Sequence, residues 1–308
     1  MRNPPDSVIA IFNCSCNYRC VFCSHGVNNC AQSCWTFEKT TKDLDSLWSQ
    51  SGLNNIGGCG EISTIPYFKK LMEYFDSKPG RVCFSTNGSK LDVAELRKHR
   101  LYEIVISIHT TDEATYDYLT GSRGHLPQVM ENARLLCEQP RDYKAILVAV
   151  ITQLNVKQMP ALAEFALSIG ADQLRFLPLI DSKIVGLGES YPPGLVPEES
   201  EENTAAMKEA ERILSPVPDG VRPVLPNCSR EEVVRRNMSS CQSPSCQIVI
   251  GSMGEVQPCC FIPSYEWSGN AFETPWEEIW DSDLYNQFRE QVADGTCELC
   301  LKYCKNWG

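Results

Sequence analysis

The residues best suited to chemistry in this chain are its thiols. Cys16, Cys20 and Cys23 stand in the spacing C-x3-C-x2-C directly after a short apolar run, and Cys14 brings the total to four cysteines within ten residues. Three thiolates on one loop can hold three irons of a [4Fe–4S] cube, leaving the fourth iron for a ligand that is not protein. An incomplete ligand set is the mark of a catalytic metal site, as it is for zinc. The same triad could hold zinc, or be incidental in a chain with 17 cysteines. A second group lies near the C-terminus. Cys241, Gly254 and Cys259 follow a C-x12-G-x4-C pattern, with Cys246 and Cys260 beside it, and Cys297, Cys300 and Cys304 make C-x2-C-x3-C. Eight of the 17 cysteines fall at or after Cys228. So short a segment with so many thiols needs a metal to hold it together. Iron–sulfur and zinc are both chemically open there.

The elements that must position these groups show in the hydrophobic pattern. Apolar runs of strand type recur at residues 8–12, 53–56, 81–86, 103–108, 145–151 and 173–179, separated by amphipathic stretches of helix type such as 66–75 and 159–170. Six strand–helix alternations predict an α/β fold with a parallel sheet and helices packed outside it. Six repeats are too few for a closed eight-fold barrel, so the expectation is a partial (β/α)6 TIM-like barrel. The cysteine triad then sits at the C-terminal end of the first strand, where barrel active sites form. Residues 191–203 are rich in Pro and Glu and read as a linker into a helix over 203–214, and 215–226 is too rich in proline for a buried element. This divides the chain into a core, 1–215, and a small cysteine-rich C-terminal domain, 216–308. In that domain Gly254 is expected in a hairpin turn, with a helix over 275–290.

With these motifs in register the chain resembles the radical S-adenosylmethionine (SAM) enzymes. Phe22 occupies the aromatic position before the last triad cysteine, whose backbone in that family faces the adenine. Gly58, Gly60 and Glu61 in "GCGE" look like the G-x-G-E motif that meets the methionine amino group, although Ile62 and Ser63 stand where the family usually has Pro. Thr86 and Asn87 in "STNG" match T-N-G, and Ser107 and His109 in "SIH" fall where a polar side chain reaches the SAM ribose or carboxylate. "GSRG" resembles the R-G element, with Arg123 able to pair with that carboxylate, and Asn155 follows the fifth strand. The C-terminal cysteines are similar to the auxiliary-cluster domain of the SPASM/twitch subgroup, which implies one extra [4Fe–4S] cluster on Cys241, Cys259, Cys297 and Cys300. Cys246, Cys260 and Cys304 are left over as substitute ligands, hydrogen-atom donors or incidental thiols.

The resemblance implies a SAM-binding [4Fe–4S] cluster, an auxiliary [4Fe–4S] cluster, SAM, and an external one-electron reductant such as flavodoxin or ferredoxin. It implies hydrogen-atom abstraction from substrate by a 5′-deoxyadenosyl radical. Two outcomes then follow: epimerisation with a thiol donor, Cys246 ahead of Cys260, or two-electron oxidation. The expected substrate is a small molecule such as an amino sugar or aminocyclitol in natural-product biosynthesis, because the barrel begins within about eight residues of Met1 and leaves no room for a domain that grips a leader peptide. A peptide-modifying maturase is the alternative, and a non-catalytic iron–sulfur redox or regulatory protein is the alternative of another class. A net charge of −11 argues against nucleic acid, whose binding draws on Lys and Arg, and suits a cationic substrate or simply solubility. No run reaches the roughly 18 apolar residues that span a bilayer, and residues 1–10 do not resemble a secretory signal. A cytoplasmic location is expected, where so many thiols point to metal or catalysis rather than disulfides. His25 could tune the first cluster through a contact behind its ligands.

Overall fold

In the computed structural model, which describes residues 3–23, 33–179, 191–215, 238–260, 262, 267 and 269–304, the first apolar run becomes strand β1, Ser7–Asn13. Val8, Ala10 and Phe12 are buried and the residues between them half-buried, the near-continuous apolar pattern of a strand covered on both faces. Each expected strand is present: β2 Leu53–Gly58, β3 Arg81–Thr86, β4 Leu101–Ser107, β5 Lys144–Ile151 and β6 Gln173–Pro178. Each is followed by helix: α1 Asp45–Trp48, α2 Phe68–Asp76, α3 Val93–Leu96, α4 Glu113–Thr120 with α5 Leu126–Cys137, α6 Met159–Ser168, and α7 Glu201–Leu214. The α/β class and the six repeats are as the sequence implies.

By packing, the chain falls into two units. The first comprises Met1–Ser15, Cys30–Cys83 and Leu225–Gly308. Its strand order is β3-β2-β1-β7-β8, where β7 is Gln247–Ile250 and β8 Val256–Gln257. β1 and β2 run parallel from Ser7 opposite Leu53 to Ile11 opposite Gly57; the register then slips, and Asn13 faces Gly58. Trp48 packs edge-on against Phe75 of α2, ring centroids 5.2 Å apart, and Leu44, Leu47, Ile56 and Leu71 of the same unit are fully buried. The second unit comprises Cys16–Asn29 and Phe84–Val224. Its strands β4, β5 and β6 are parallel, with Ile104 opposite Ala145 and Leu147 opposite Leu174. Asp112 and Ser200 cap α4 and α7 by accepting the backbone N–H groups of Thr115 and Asn203.

Two C-terminal features differ from expectation. β7 pairs in parallel with β1, Ser7 opposite Gln247 through Ala10 opposite Ile250, so the cysteine-rich segment adds a strand beside the first one. The helix expected over 275–290 is two helices, α9 Trp276–Trp280 and α10 Asp283–Ala293. Ser282 divides them: its backbone is extended (ψ 153°) and its side chain caps α10 at the N–H of Tyr285. The hairpin is as expected. Gly254 turns with φ +90° between antiparallel β7 and β8, and a Cβ there would sit 2.3 Å from the Phe272 ring. The stretch from 216 to 237 and His25 lie outside the described residues.

Candidate iron–sulfur and cofactor-binding sites

The triad loop belongs to the second unit. It is docked on the end of α4 by two backbone bonds, Arg19 N–H to Thr120 O (2.9 Å) and Val21 N–H to Leu119 O (3.0 Å). Gly121 ends α4 in the left-handed conformation, φ +59°, and a Cβ on it would fall 2.6 Å from Arg19 O. Tyr18 is buried; its hydroxyl lies 3.3 Å from that of Tyr116 and its backbone N–H donates to Cys16 Sγ at 3.3 Å. Burial, then the negative charge of Cys23 and Cys16, pushes the Cys20 thiol up to about 12. Three thiols this close resist ionising together until a cation joins them. Among the described residues no three His, Cys, Asp or Glu side chains stand in ready-made metal geometry; the fit of the triad to an iron–sulfur cube lies in its donor chemistry.

The T-N-G motif meets this loop. Asn87 Nδ2 donates to Asn17 Oδ1 (2.9 Å) and lies 3.9 Å from Cys16 Sγ, while Asn87 Oδ1 accepts from Ser89. Thr86 Oγ1 accepts the Gly88 N–H. Phe22 packs edge-on to His109, ring centroids 4.7 Å apart. Burial lowers His109 to about 4, so it is neutral, and its Nδ1 accepts the Val150 N–H. Asn155 works on the backbone: it donates to His109 O and Val150 O and accepts from Thr152. Ser107 is half-buried at the end of β4, and Arg123 is exposed in the loop after α4.

The G-x-G-E motif lies in the first unit. Glu61 is buried, its Oε1 accepting from the Ser63 N–H and hydroxyl, so Ser63 does locally what a proline could not. Glu61 N–H donates to Ser15 O and Gly60 N–H to Asn13 O. A Cβ on Gly60 would sit 1.9 Å from Ser15 O, which leaves glycine as the residue that fits.

The auxiliary thiols are also in the first unit. Cys297 caps α11, Glu298–Tyr303, by accepting the Cys300 N–H at 3.4 Å. The Cys300 thiol and the N–H groups of Cys300 and Leu299 bring Cys297 down to about 7, while Cys300, keeping the shared proton, goes up. Cys241 feels the charge of Cys259 and Cys297, and Cys300 that of Cys259 and Cys304. The four expected ligands and Cys304 thus act on one another, beside a core of Phe288, Val292 and Ile262. That donor set fits a soft metal or an iron–sulfur cluster. Cys246 ends helix α8, Ser243–Cys246, half-buried, and Cys260 is exposed. Cys14 is disulfide-bonded. The sequence reading missed Asn13, Asn17, Tyr18 and Tyr116. The first three flank or interrupt the triad spacing, which was a usable signal; nothing local marked Tyr116.

Residues 241–305 match the SPASM family, an iron–sulfur cluster-binding domain. Over 93% of its length the chain is 23% identical to the antilisterial bacteriocin subtilosin biosynthesis protein AlbA of Bacillus subtilis (strain 168), and it spans 62% of that protein. Over 94% it is 26% identical to the mycofactocin maturase MftC of Mycobacterium ulcerans (strain Agy99), spanning 78% of it. Among solved structures, SuiB of Streptococcus suis bound to S-adenosylmethionine aligns with TM-score 0.69 at 17% identity, over 99% of this chain and 73% of that one. BtrN in complex with AdoMet and 2-DOIA aligns with TM-score 0.53 at 16% identity, over 99% and 95%. The fold is that of the radical SAM proteins, an α/β partial barrel with a C-terminal iron–sulfur domain. The SPASM match and the fold together support a radical SAM protein of the SPASM/twitch subgroup, a group whose cofactors are [4Fe–4S] clusters and SAM. No helix among the described residues is long and apolar enough to cross a membrane.

Proposed function

We propose that this chain modifies a peptide by hydrogen-atom abstraction, a reading that reverses the preference for a small molecule. The observation that carries it is the likeness, over nine-tenths of the chain, to a bacteriocin biosynthesis protein and a mycofactocin maturase. The clusters and SAM, when bound, supply a 5′-deoxyadenosyl radical that takes a hydrogen atom from a substrate C–H bond. Cys16, Cys20 and Cys23 hold the first cluster, and Cys241, Cys259, Cys297 and Cys300 the second. Gly58, Gly60 and Glu61 receive the amino-acid end of SAM; Phe22 and His109 wall the adenosine side, with Thr86, Asn87 and Asn155 holding the loops and Ser107 and Arg123 reaching the ribose or carboxylate. The 215/216 division separates the two cluster-binding parts. Cys246, whose thiol is pushed up by burial and by Asp6 and Cys241, stays protonated at neutral pH and so carries a hydrogen to give; Cys260 is the second choice. A small-molecule substrate remains the second reading, supported by the alignment with BtrN, whose structure holds 2-DOIA.

One experiment separates the two. The reconstituted protein is incubated anaerobically with SAM, dithionite and a low-molecular-weight cell extract, and 5′-deoxyadenosine is measured. Stimulation that disappears when the extract is first treated with protease supports the peptide. Stimulation that survives protease supports the small molecule, and no 5′-deoxyadenosine under any condition removes both.

A further inference from the structure

Asn13 belongs to none of the motifs above, yet it stands where two of them meet. The alternation of β1 breaks at this residue: after buried Phe12, Asn13 is buried as well, 4% exposed, because the pairing with β2 slips between Ile11 and Asn13. Such slips re-aim a side chain and recur beside active sites. The re-aimed amide donates through Nδ2 to Glu61 O at 2.8 Å and to Ser15 O at 3.0 Å, with Thr64 Oγ1 at 3.4 Å. Ser15 is the residue before Cys16, and Glu61 is the acid of G-x-G-E. One NH2 group therefore ties the start of the cluster loop to the loop that receives the cofactor's amino group.

Folding does not require this tie. Ser15 O also accepts the Glu61 N–H, and Glu61 O also accepts the Thr64 N–H and the Thr64 hydroxyl at 2.7 Å. Without the amide, both carbonyls keep a donor. Asn13 Oδ1, in contrast, is buried with no hydrogen-bond partner, a group that costs stability. An apolar side chain of the same shape would remove that cost at no loss of satisfied carbonyls. Buried polar groups that stability alone would discard concentrate at functional sites.

We infer that Asn13 is a positioning residue for SAM: its amide fixes the Ser15 and Glu61 carbonyls so that the G-x-G-E loop holds the amino-acid end of the cofactor in one place. The inference rests on the radical SAM reading. Its test compares reconstituted wild type with Asn13→Leu and Asn13→Asp. Iron content, thermal midpoint, SAM affinity by equilibrium dialysis, and the change that SAM makes in the electron paramagnetic resonance signal of the reduced cluster are measured. Asn13→Leu is expected to keep both clusters and a midpoint equal to or above wild type, yet to bind SAM about tenfold more weakly with a diminished spectral change. Asn13→Asp keeps the shape and the acceptor but lacks the N–H pair, and is expected to lose SAM affinity at least as much. SAM binding by Asn13→Leu at wild-type strength overturns the inference; so does loss of iron and fold in that variant, which would make the amide structural. Asp binding like wild type while Leu does not would overturn the clamp in favour of the acceptor. Wild type that holds iron but binds no SAM would sink the underlying reading instead.

Discussion

At the scale of single residues, the environment of each group decides its chemistry more than its type does. His109 is neutral in the fold because burial lowers it from 6.5 to about 4. The unfolded chain takes up a proton near pH 6.5 that the folded chain refuses. This contribution is therefore complete above pH 6.5 and is lost as pH falls toward 4, about 2 kcal/mol of it between pH 7 and pH 5. Urea titrations at the two pH values should show that extra loss in wild type and not in His109→Gln, which keeps an acceptor for Val150. Equal slopes in the two proteins would refute it. Cys297 is the counterpart among the thiols. Hydrogen bonds from Cys300 and two backbone N–H groups make it the readiest thiolate of its group. Cys297→Ser should lower the iron per chain by one cluster and leave the other, as counted by iron and sulfide analysis. Both residues were identified in the sequence by motif, but their electrostatics were not, because burial of an imidazole or a cap on α11 depends on neighbours far along the chain.

At the scale of elements, the turns and caps that aim the motifs can be tested one at a time. Gly121 closes α4 with φ +59° and lies against Arg19 O, so a methyl group there meets both backbone strain and a collision. Gly121→Ala should displace the triad loop and cost the first cluster while the auxiliary cluster stays. Iron per chain near half that of wild type, with the SAM-responsive resonance signal gone, is the expected result; full iron would count against the platform. Ser282→Ala removes the cap that separates α9 from α10 and should cost about 1 kcal/mol, read from a denaturant midpoint. The strands were legible in the sequence because parallel, twice-covered strands are continuous apolar runs, as in residues 145–151. Broken helices were less so. Trp276, Ile279, Trp280, Tyr285 and Phe288 keep an apolar stripe across the break, and one serine with extended backbone outweighs the pattern. The register slip at Asn13 left no local mark at all, since it is fixed by the partner strand.

At the scale of the whole molecule, the division expected from composition and the one made by packing are different. Proline-rich 215–226 suggests two domains in series, while the packing unit that contains Cys241–Cys300 also contains Met1–Ser15. The link is β7 on β1, a parallel pairing between segments about 240 residues apart, which short-range sequence patterns cannot announce. A chain ending at residue 240 should therefore not behave as a self-sufficient core. It exposes one edge of β1 along Ser7–Ala10, and is expected to aggregate on expression or to lose iron from the triad as well. A soluble 1–240 product with a full first cluster would show that the pairing is dispensable.

That same pairing sets an order in time. Residues are added at about 5–20 per second during synthesis, so the first strand emerges many seconds before the segment that covers its outer side. Until then the nascent chain carries an adhesive, half-finished border a few residues ahead of the cysteines proposed to receive iron, and whatever shields that border in the interval also guards the proposed metal site.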